Sequence, residues 1–194
     1  MSVRNHPDRS RLTALNQNYG VKKMNKNKKK TIFVVQSAVI AALYAGLTYA
    51  ASMLNVAYGP IQFRFSEALT ILAAISPAAI PGLTIGCFLG NITSPYGMID
   101  ILCGTAATFI AAVLSYKTRN IKLKNLPLLS AFFPVLTNAV IIGLEITLFM
   151  PEGFKLQAFL INAVQIAIGQ LLMCYGLGLP LYNVLKKTRL DKKL

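Results

Sequence analysis

Apolar runs separated by short polar or proline-containing breaks dominate the chain from Thr31 onward. A helix that crosses a bilayer needs about 20 predominantly apolar residues. Six runs are present, with approximate bounds 32–54, 62–76, 80–92, 97–116, 126–149 and 156–184. The pattern therefore predicts an all-α integral membrane protein with a bundle of six transmembrane helices.

The third run is the shortest of the six. A helix of roughly 13 residues is only about 20 Å long at 1.5 Å per residue. Such a helix fits a membrane protein when it is tilted, discontinuous or buried among its neighbours rather than in lipid. Its place in the count is supported by the distribution of positive charge.

Lysine and arginine are concentrated in three segments of the chain. Residues 1–30 contain nine of them, residues 117–124 four and residues 186–193 five, which is 18 of the 20 present. Short basic segments stay on the cytoplasmic side of a membrane. All three share that side only if four spans separate the first pair and two separate the second. We therefore expect six spans in the cell membrane, with both termini and the 117–124 loop in the cytoplasm.

The two ends of the chain differ from its apolar middle. Residues 1–30 have little apolar periodicity, which predicts a disordered basic cytoplasmic tail. The membrane domain is expected at 31–186, and a second basic cytoplasmic tail at 187–194. Met24 stands before a run of lysines, so either Met1 or Met24 is the native start.

Composition supports a membrane protein and argues against other classes. The chain is 55% hydrophobic and 13% charged, with a mean hydropathy of +0.54, whereas soluble domains have about 25% charged residues. The net charge of +14 lies at the ends and in one loop, so we expect lipid and not nucleic acid as its partner. Three cysteines lie singly inside apolar runs, which predicts neither a disulfide framework nor a thiolate metal site.

Strongly polar residues within the runs fall mostly in the outer half of the predicted topology. A carboxylate in hydrocarbon costs about 2.5–3.5 kcal/mol on insertion scales, so such groups usually face a cavity or a partner. They predict an acidic pocket open to the outside. In the alternative reading these charged groups are interfacial and reach lipid headgroups, or Arg64 pairs with Glu67 structurally, and Asn138 only joins two helices. The candidate substrate-binding residues are Arg64, Glu67, Asn91, Tyr96, Asp100, Asn138, Glu145, Asn162 and Gln165.

Small residues form a stripe along the first predicted helix. Ala38, Ala42, Gly46 and Ala50 recur every four residues, and small residues at this spacing let another membrane helix approach closely. The partner is either a helix of the same bundle or a separate membrane subunit.

Motifs of catalysis are missing from the chain. It contains no GxxxxGK[ST] phosphate loop, no HExxH and no GxSxG, so we expect no catalytic residue, metal or cofactor. It also shows no obvious internal repeat of the kind found in many complete secondary transporters. A small six-span protein of this kind is more typical of a capture subunit than of an enzyme or a complete pump.

Three segments together resemble a known family over about residues 31–186. They are Arg64–Leu69, reached through Ile61–Phe63; Gly82–Cys87 with Asn91; and Asp100–Thr108. They resemble the QueT family, the queuosine-precursor S components (substrate-binding subunits) of energy-coupling factor (ECF) transporters. The resemblance implies a six-helix subunit that binds a 7-deazaguanine such as preQ1, preQ0 or queuine. It also implies a separate transmembrane coupling subunit, which touches the alanine-rich first helix, and two ATPase subunits.

The chemistry of the candidate pocket suits this class of ligand. A guanine-like edge offers an N–H and an amine to a carboxylate, and its O6 needs a donor. The amine of preQ1 is cationic and pairs with a second carboxylate. Our hypothesis assigns the edge and the amine to Glu67 and Glu145, with complementary groups from Asn91, Asn138 and Gln165.

Aromatic residues of the outer loops have two readings. Tyr58 and Tyr96 either act as lids over the ligand or belong to the aromatic belt at the membrane surface. Two other functions also stay open for the whole chain. One is an S component for another vitamin-like molecule, and the other is a membrane scaffold that transports nothing.

Overall fold

A computed structural model describes residues 9–58, 61–149 and 153–188, and it describes side chains from residue 27 onward. Contacts divide the chain into two compact units, Met1–Val35 and Gln36–Leu194. Every hydrogen bond and packing contact used to define the site below lies within the second unit.

The described residues are helical, with no strand among them. The elements are α1 (Arg9–Met53), a 3-10 helix (Phe65–Ala74), α2 (Ala79–Asn91), α3 (Met98–Lys117), α4 (Leu128–Leu148), α5 (Leu156–Leu171), a π-helical segment (Leu172–Gly178) and α6 (Leu179–Lys187). The last three follow one another without a break. With these joined, the described residues contain six helical stretches close to the six predicted runs, and the prediction of an all-α membrane bundle is confirmed.

The six stretches differ in length. Four are long and apolar enough to cross a membrane: Asn27–Met53, Met98–Lys117, Leu128–Leu148 and Leu156–Lys187. The two short ones are the 3-10 helix and α2. A 3-10 helix rises about 2.0 Å per residue, so its ten residues extend about 20 Å, as do the 13 residues of α2 at 1.5 Å each.

The 3-10 helix is enclosed by the other helices of its unit. All residues from Ser66 to Ala74 are buried, and the helix packs against α2, α3, α4, α6 and the π-helical segment. A 3-10 helix longer than three or four residues is uncommon. This one places Glu67, in its first turn, inside the protein and away from lipid.

Helix α1 includes part of the segment that composition assigned to a tail. It begins at Arg9, whereas the sequence predicts a disordered stretch over residues 1–30; residues 1–8 lie outside the described residues. At the other end α6 stops at Lys187, and most of the predicted tail at 187–194 also lies outside them. The division into two tails and a membrane domain stays a prediction.

Glycines of α2 allow it to lie directly against α1. Gly82, Gly86 and Gly90 are four residues apart and buried. A Cβ on Gly86 would lie 2.7 Å from the Cβ of Tyr44 and 2.8 Å from the carbonyl oxygen of Ala41. Since the Tyr44 Cβ and the Ala41 oxygen lie on or next to the backbone of α1, only glycine fits at position 86.

Gly86→Val should therefore destabilise the protein. Forcing extra carbons into a packed interior typically costs about 1–3 kcal/mol, and here it must also displace Tyr44. The thermal midpoint in detergent measures the effect. The matched control is Gly46→Ala, because nothing lies within 4 Å of a Cβ at Gly46; its midpoint should not fall. Equal midpoints for wild type and Gly86→Val would contradict the close packing of α1 on α2.

Candidate functional site

Arg64 joins three separate parts of the chain at one end of the bundle. It precedes the 3-10 helix and is 3% exposed, and its Nη2 donates to Oδ1 of Asn91 at the end of α2. Asn91 in turn donates through Nδ2 to the backbone oxygen of Asp100, at 3.0 Å, in the first turn of α3. The structure therefore links Arg64 and Asn91 by their side chains and joins Asn91 to the backbone of Asp100.

Glu67, in the first turn of the 3-10 helix, is held from two sides. It is 1% exposed, and its Oε1 accepts a hydrogen bond of 2.5 Å from the Tyr44 hydroxyl on α1. Its Oε2 lies 3.5 Å from Nδ2 of Asn138 on α4. Among the described residues, Arg64 thus bonds to Asn91, Glu67 bonds to Tyr44 and Asn138, and the two do not bond to each other.

Two further carboxylates lie in the same region, and each has one oxygen without a hydrogen-bond partner among the described residues. Asp100 and Glu145 are 3% and 5% exposed, and Asp100 Oδ2 and Glu145 Oε2 have no hydrogen-bond partner among the described residues. Arg64 Nε is likewise without a partner there. Asp100 lies in the first turn of α3 and Glu145 near the end of α4, and these two helices pack against each other. One arginine and three buried carboxylates give the region a formal charge of −2.

The two candidates on α5 lie at its junction with α4. Asn162 is half-buried, and its Nδ2 donates to the Thr147 hydroxyl at 3.0 Å. Gly143 makes room for this junction, because a Cβ there would lie 3.1 Å from Cα of Ala163. Asn162 thus contacts the end of α4 that carries Glu145. Gln165, also half-buried, follows Asn162 by three residues on the same helix.

Two tyrosines of the loops contact each other, and one of them lies beside Arg64. The Tyr58 hydroxyl donates to the Gly90 oxygen at 3.1 Å, and the Arg64 guanidinium lies 5.7 Å from the centroid of the Tyr58 ring. Burial raises the pKa of Tyr58, so its hydroxyl stays protonated and donates at neutral pH. Tyr96 is 47% exposed and donates to the Tyr58 backbone oxygen at 3.3 Å. Its backbone N–H also donates to the Ser94 hydroxyl at 3.2 Å, and its role as a binding residue stays a prediction.

Several buried polar residues near the site were not predicted. Tyr44 is the clearest, because it is fully buried and bonded to Glu67, yet a single tyrosine in an apolar helix gives no sign of its partner. Gln62 and Gln170 are 4% and 2% exposed, and Thr105 has a buried hydroxyl without a partner among the described residues. For Gln62 and Gln170, the available signal in the sequence was a glutamine within an apolar run.

The stripe of small residues on α1 faces away from the chain's own core. Ala38, Ala42, Gly46 and Ala50 are all exposed, whereas the intervening Ala41 and Ala45 are buried. The contact with α2 uses the buried face of α1. The stripe therefore makes no contact with the core of the described chain.

Comparisons with known proteins give one family. A family model described as QueT transporter matches residues 34–187. The protein named "Queuosine precursor transporter QueT" from Lactococcus lactis subsp. cremoris (strain MG1363) is 39% identical over 83 residues, which are 43% of this chain and 48% of that protein. The chain thus spans about half the length of this curated relative. No solved structure matches.

Proposed function

The chain belongs to the QueT transporter family, a family of transporters and not of enzymes, and from this premise we propose that it captures a queuosine precursor. The ligand is a 7-deazaguanine such as preQ1, preQ0 or queuine, bound from outside in a multi-pass protein of the cell membrane. A separate ECF coupling subunit and two ATPase subunits would drive delivery inward. The clustering of basic residues supports cytoplasmic termini.

The observation that carries this proposal is a set of three buried polar atoms without partners. Arg64 Nε is a donor, while Asp100 Oδ2 and Glu145 Oε2 are acceptors, and none is hydrogen-bonded among the described residues. Buried polar groups are nearly always paired, and an unsatisfied one costs about 1–3 kcal/mol. A polar ligand that reaches all three recovers this cost.

The positions of Arg64, Asp100 and Glu145 suggest which part of the ligand each side chain would meet. Arg64 and Asp100 are linked through Asn91, and a guanine-like edge carries its O6 acceptor next to its N1–H donor. Arg64 would donate to O6, and Asp100 would accept from N1–H and the exocyclic amine. Glu145, on a different helix, then pairs with the aminomethyl cation of preQ1. A formal charge of −2 favours such a cation over the neutral nitrile of preQ0.

Glu67 would contact the ligand through one of its two carboxylate oxygens. Its Oε1 is engaged by Tyr44, so Oε2, which has only a 3.5 Å contact with Asn138, is the oxygen that can reach a ligand. Glu67→Gln replaces one oxygen with an amide donor and should weaken preQ1 binding at least tenfold, measured by equilibrium binding to purified protein. Ser115→Ala, a buried change near the far end of α3, should leave the affinity unchanged. Unchanged affinity in Glu67→Gln removes this residue from the site.

A ligand panel scored by thermal shift tests the function itself. A ligand present at 100 times its dissociation constant stabilises the folded protein by about 2.7 kcal/mol. We expect preQ1 to raise the midpoint most, with smaller effects of preQ0 and queuine and none of folate. A shift by thiamin alone would instead indicate another vitamin-like cargo. A flat panel would favour the scaffold.

Docking of the coupling subunit is proposed on the exposed stripe of α1. Small residues at four-residue spacing allow the backbone of a partner helix to come close, and Ala38, Ala42, Gly46 and Ala50 are exposed on one face. Their exposure supports an external partner over a contact inside the bundle.

A further inference from the structure

Two buried glutamines beside the candidate site take no part in the contacts proposed so far. Gln62 and Gln170 are 4% and 2% exposed. In the described part of the chain the Gln62 amide has no hydrogen bond, and the Gln170 amide has only a long one, 3.8 Å from the Cys174 sulfur to Gln170 Oε1. Buried amides are nearly always hydrogen-bonded, so the position of each one indicates which partner it would meet.

Gln62 shares its buried side of the chain with Arg64. The backbone before the 3-10 helix is extended at Arg64, with φ −88° and ψ 101°. Burial alternates along this segment: Ile61 is exposed and Phe63 half-buried, whereas Gln62 and Arg64 are both buried. Side chains two residues apart in an extended segment point to the same side and start about 6–7 Å apart. The Gln62 amide therefore lies on the side of the Arg64 guanidinium.

Gln170 lies where α5 meets this same segment. A Cβ on the preceding residue, Gly169, would lie 3.1 Å from the carbonyl carbon of Gln62, so the two backbones are in direct contact there. One turn after Gln170, the Cys174 sulfur lies 3.7 Å from the backbone oxygen of Glu67. The turn of α5 that carries Gln170 therefore runs beside the chain between Gln62 and Glu67.

We propose that Gln62 and Gln170 bind the N3 and N9–H edge of the 7-deazaguanine and thereby select the free base over its nucleoside. This inference rests on the proposed function. An amide offers an oxygen acceptor and two N–H donors. Oε1 of Gln170 faces the Cys174 thiol, so its Nε2 donates to the N3 acceptor. Oε1 of Gln62 accepts from N9–H, on the side of the base away from the O6 atom that Arg64 meets.

A nucleoside fails at this edge for two reasons. Its N9 carries the sugar and has no hydrogen to donate, so the buried oxygen of Gln62 would stay unpaired, and a site built around a hydrogen bond rejects an analogue that lacks it. The contact of Gly169 with the backbone of Gln62 also closes the gap between α5 and this segment, where a sugar on N9 would have to pass.

The test compares preQ1 with its 9-methyl derivative, which lacks only the N9–H donor, in competition against radiolabelled preQ1 on the purified full chain. The wild type should bind the methylated ligand at least tenfold more weakly. In Gln62→Met the affinity for preQ1 should fall at least tenfold, and the two ligands should then differ less than threefold. Gln170→Met should weaken both ligands together at least fivefold, because both retain N3. The matched control is Gln157→Met, at an exposed glutamine of α5, which should bind both as the wild type does.

The outcomes separate this inference from the proposed function. Equal affinity of the wild type for the two ligands would overturn the reading of N9–H and leave capture of preQ1 intact. No saturable preQ1 binding by the wild type would overturn both. A full tenfold preference for preQ1 in a folded Gln62→Met variant would assign the selection to another residue. If Gln62→Met fails to fold, the wild-type comparison and Gln170→Met decide, and wild-type affinities in Gln170→Met contradict the proposal.

Discussion

Glu145→Gln should weaken preQ1 binding by a factor of about 30 to 100. The variant removes the negative charge opposite the ligand's ammonium, and hydrogen bonds to charged groups contribute about 1.5–3 kcal/mol, with 1.4 kcal/mol for each factor of ten. Glu145 Oε2 is buried without a partner among the described residues, so the substitution breaks no described hydrogen bond of that oxygen. Equilibrium binding to purified protein measures the change.

The neutral ligand preQ0 is the control for this variant. It lacks the ammonium, so its affinity should fall less than fivefold in Glu145→Gln. A similar loss for both ligands would mean that the substitution disturbs the fold and not a charge pair. Asp100→Asn should lower the affinities for both together, because it reads the edge that the two ligands share. If neither ligand responds to Glu145→Gln, Glu145 is not part of the site.

Ala42→Leu should abolish uptake and leave ligand binding within twofold of wild type. Ala42 is exposed in the middle of the stripe on α1, so a leucine fits the isolated chain but keeps a partner helix at a distance. Uptake of preQ1 into cells that contain the coupling and ATPase subunits should drop below about one-twentieth, since packing of small residues drives such helix contacts.

The matched control is Ala106→Leu, the same change at an exposed position on α3. It should transport normally, because it lies off the stripe. Normal uptake by Ala42→Leu would show that the stripe is not the docking face. A loss of binding together with uptake would instead trace the defect to the fold.

The helical segments were predictable because hydropathy is a local property of the chain. The short span over α2 was predicted only because the distribution of positive charge requires an even number of spans. The structure contains it as a 13-residue helix. The winding of Phe65–Ala74 as a 3-10 helix was not predictable. Its apolar residues fit either winding, and the choice depends on the helices that enclose it.

The burial of the candidate residues was predictable, but their contacts were not. Burial of Glu67, Asp100 and Glu145 follows from the cost of a carboxylate within an apolar run. The pairing of Arg64 with Glu67, which stood as an alternative, depends on which side chains of other helices come near. In the structure Arg64 bonds to Asn91 and Glu67 bonds to Tyr44. No spacing in the sequence indicates Tyr44 as a partner.

Equilibrium dialysis of radiolabelled preQ1 against the purified full chain tests the central claim most directly. The buried carboxylates and Arg64 should give one saturable site per chain, from which unlabelled preQ1 displaces the label and folate does not. Binding that rises without saturation up to millimolar ligand would contradict a capture subunit for a queuosine precursor.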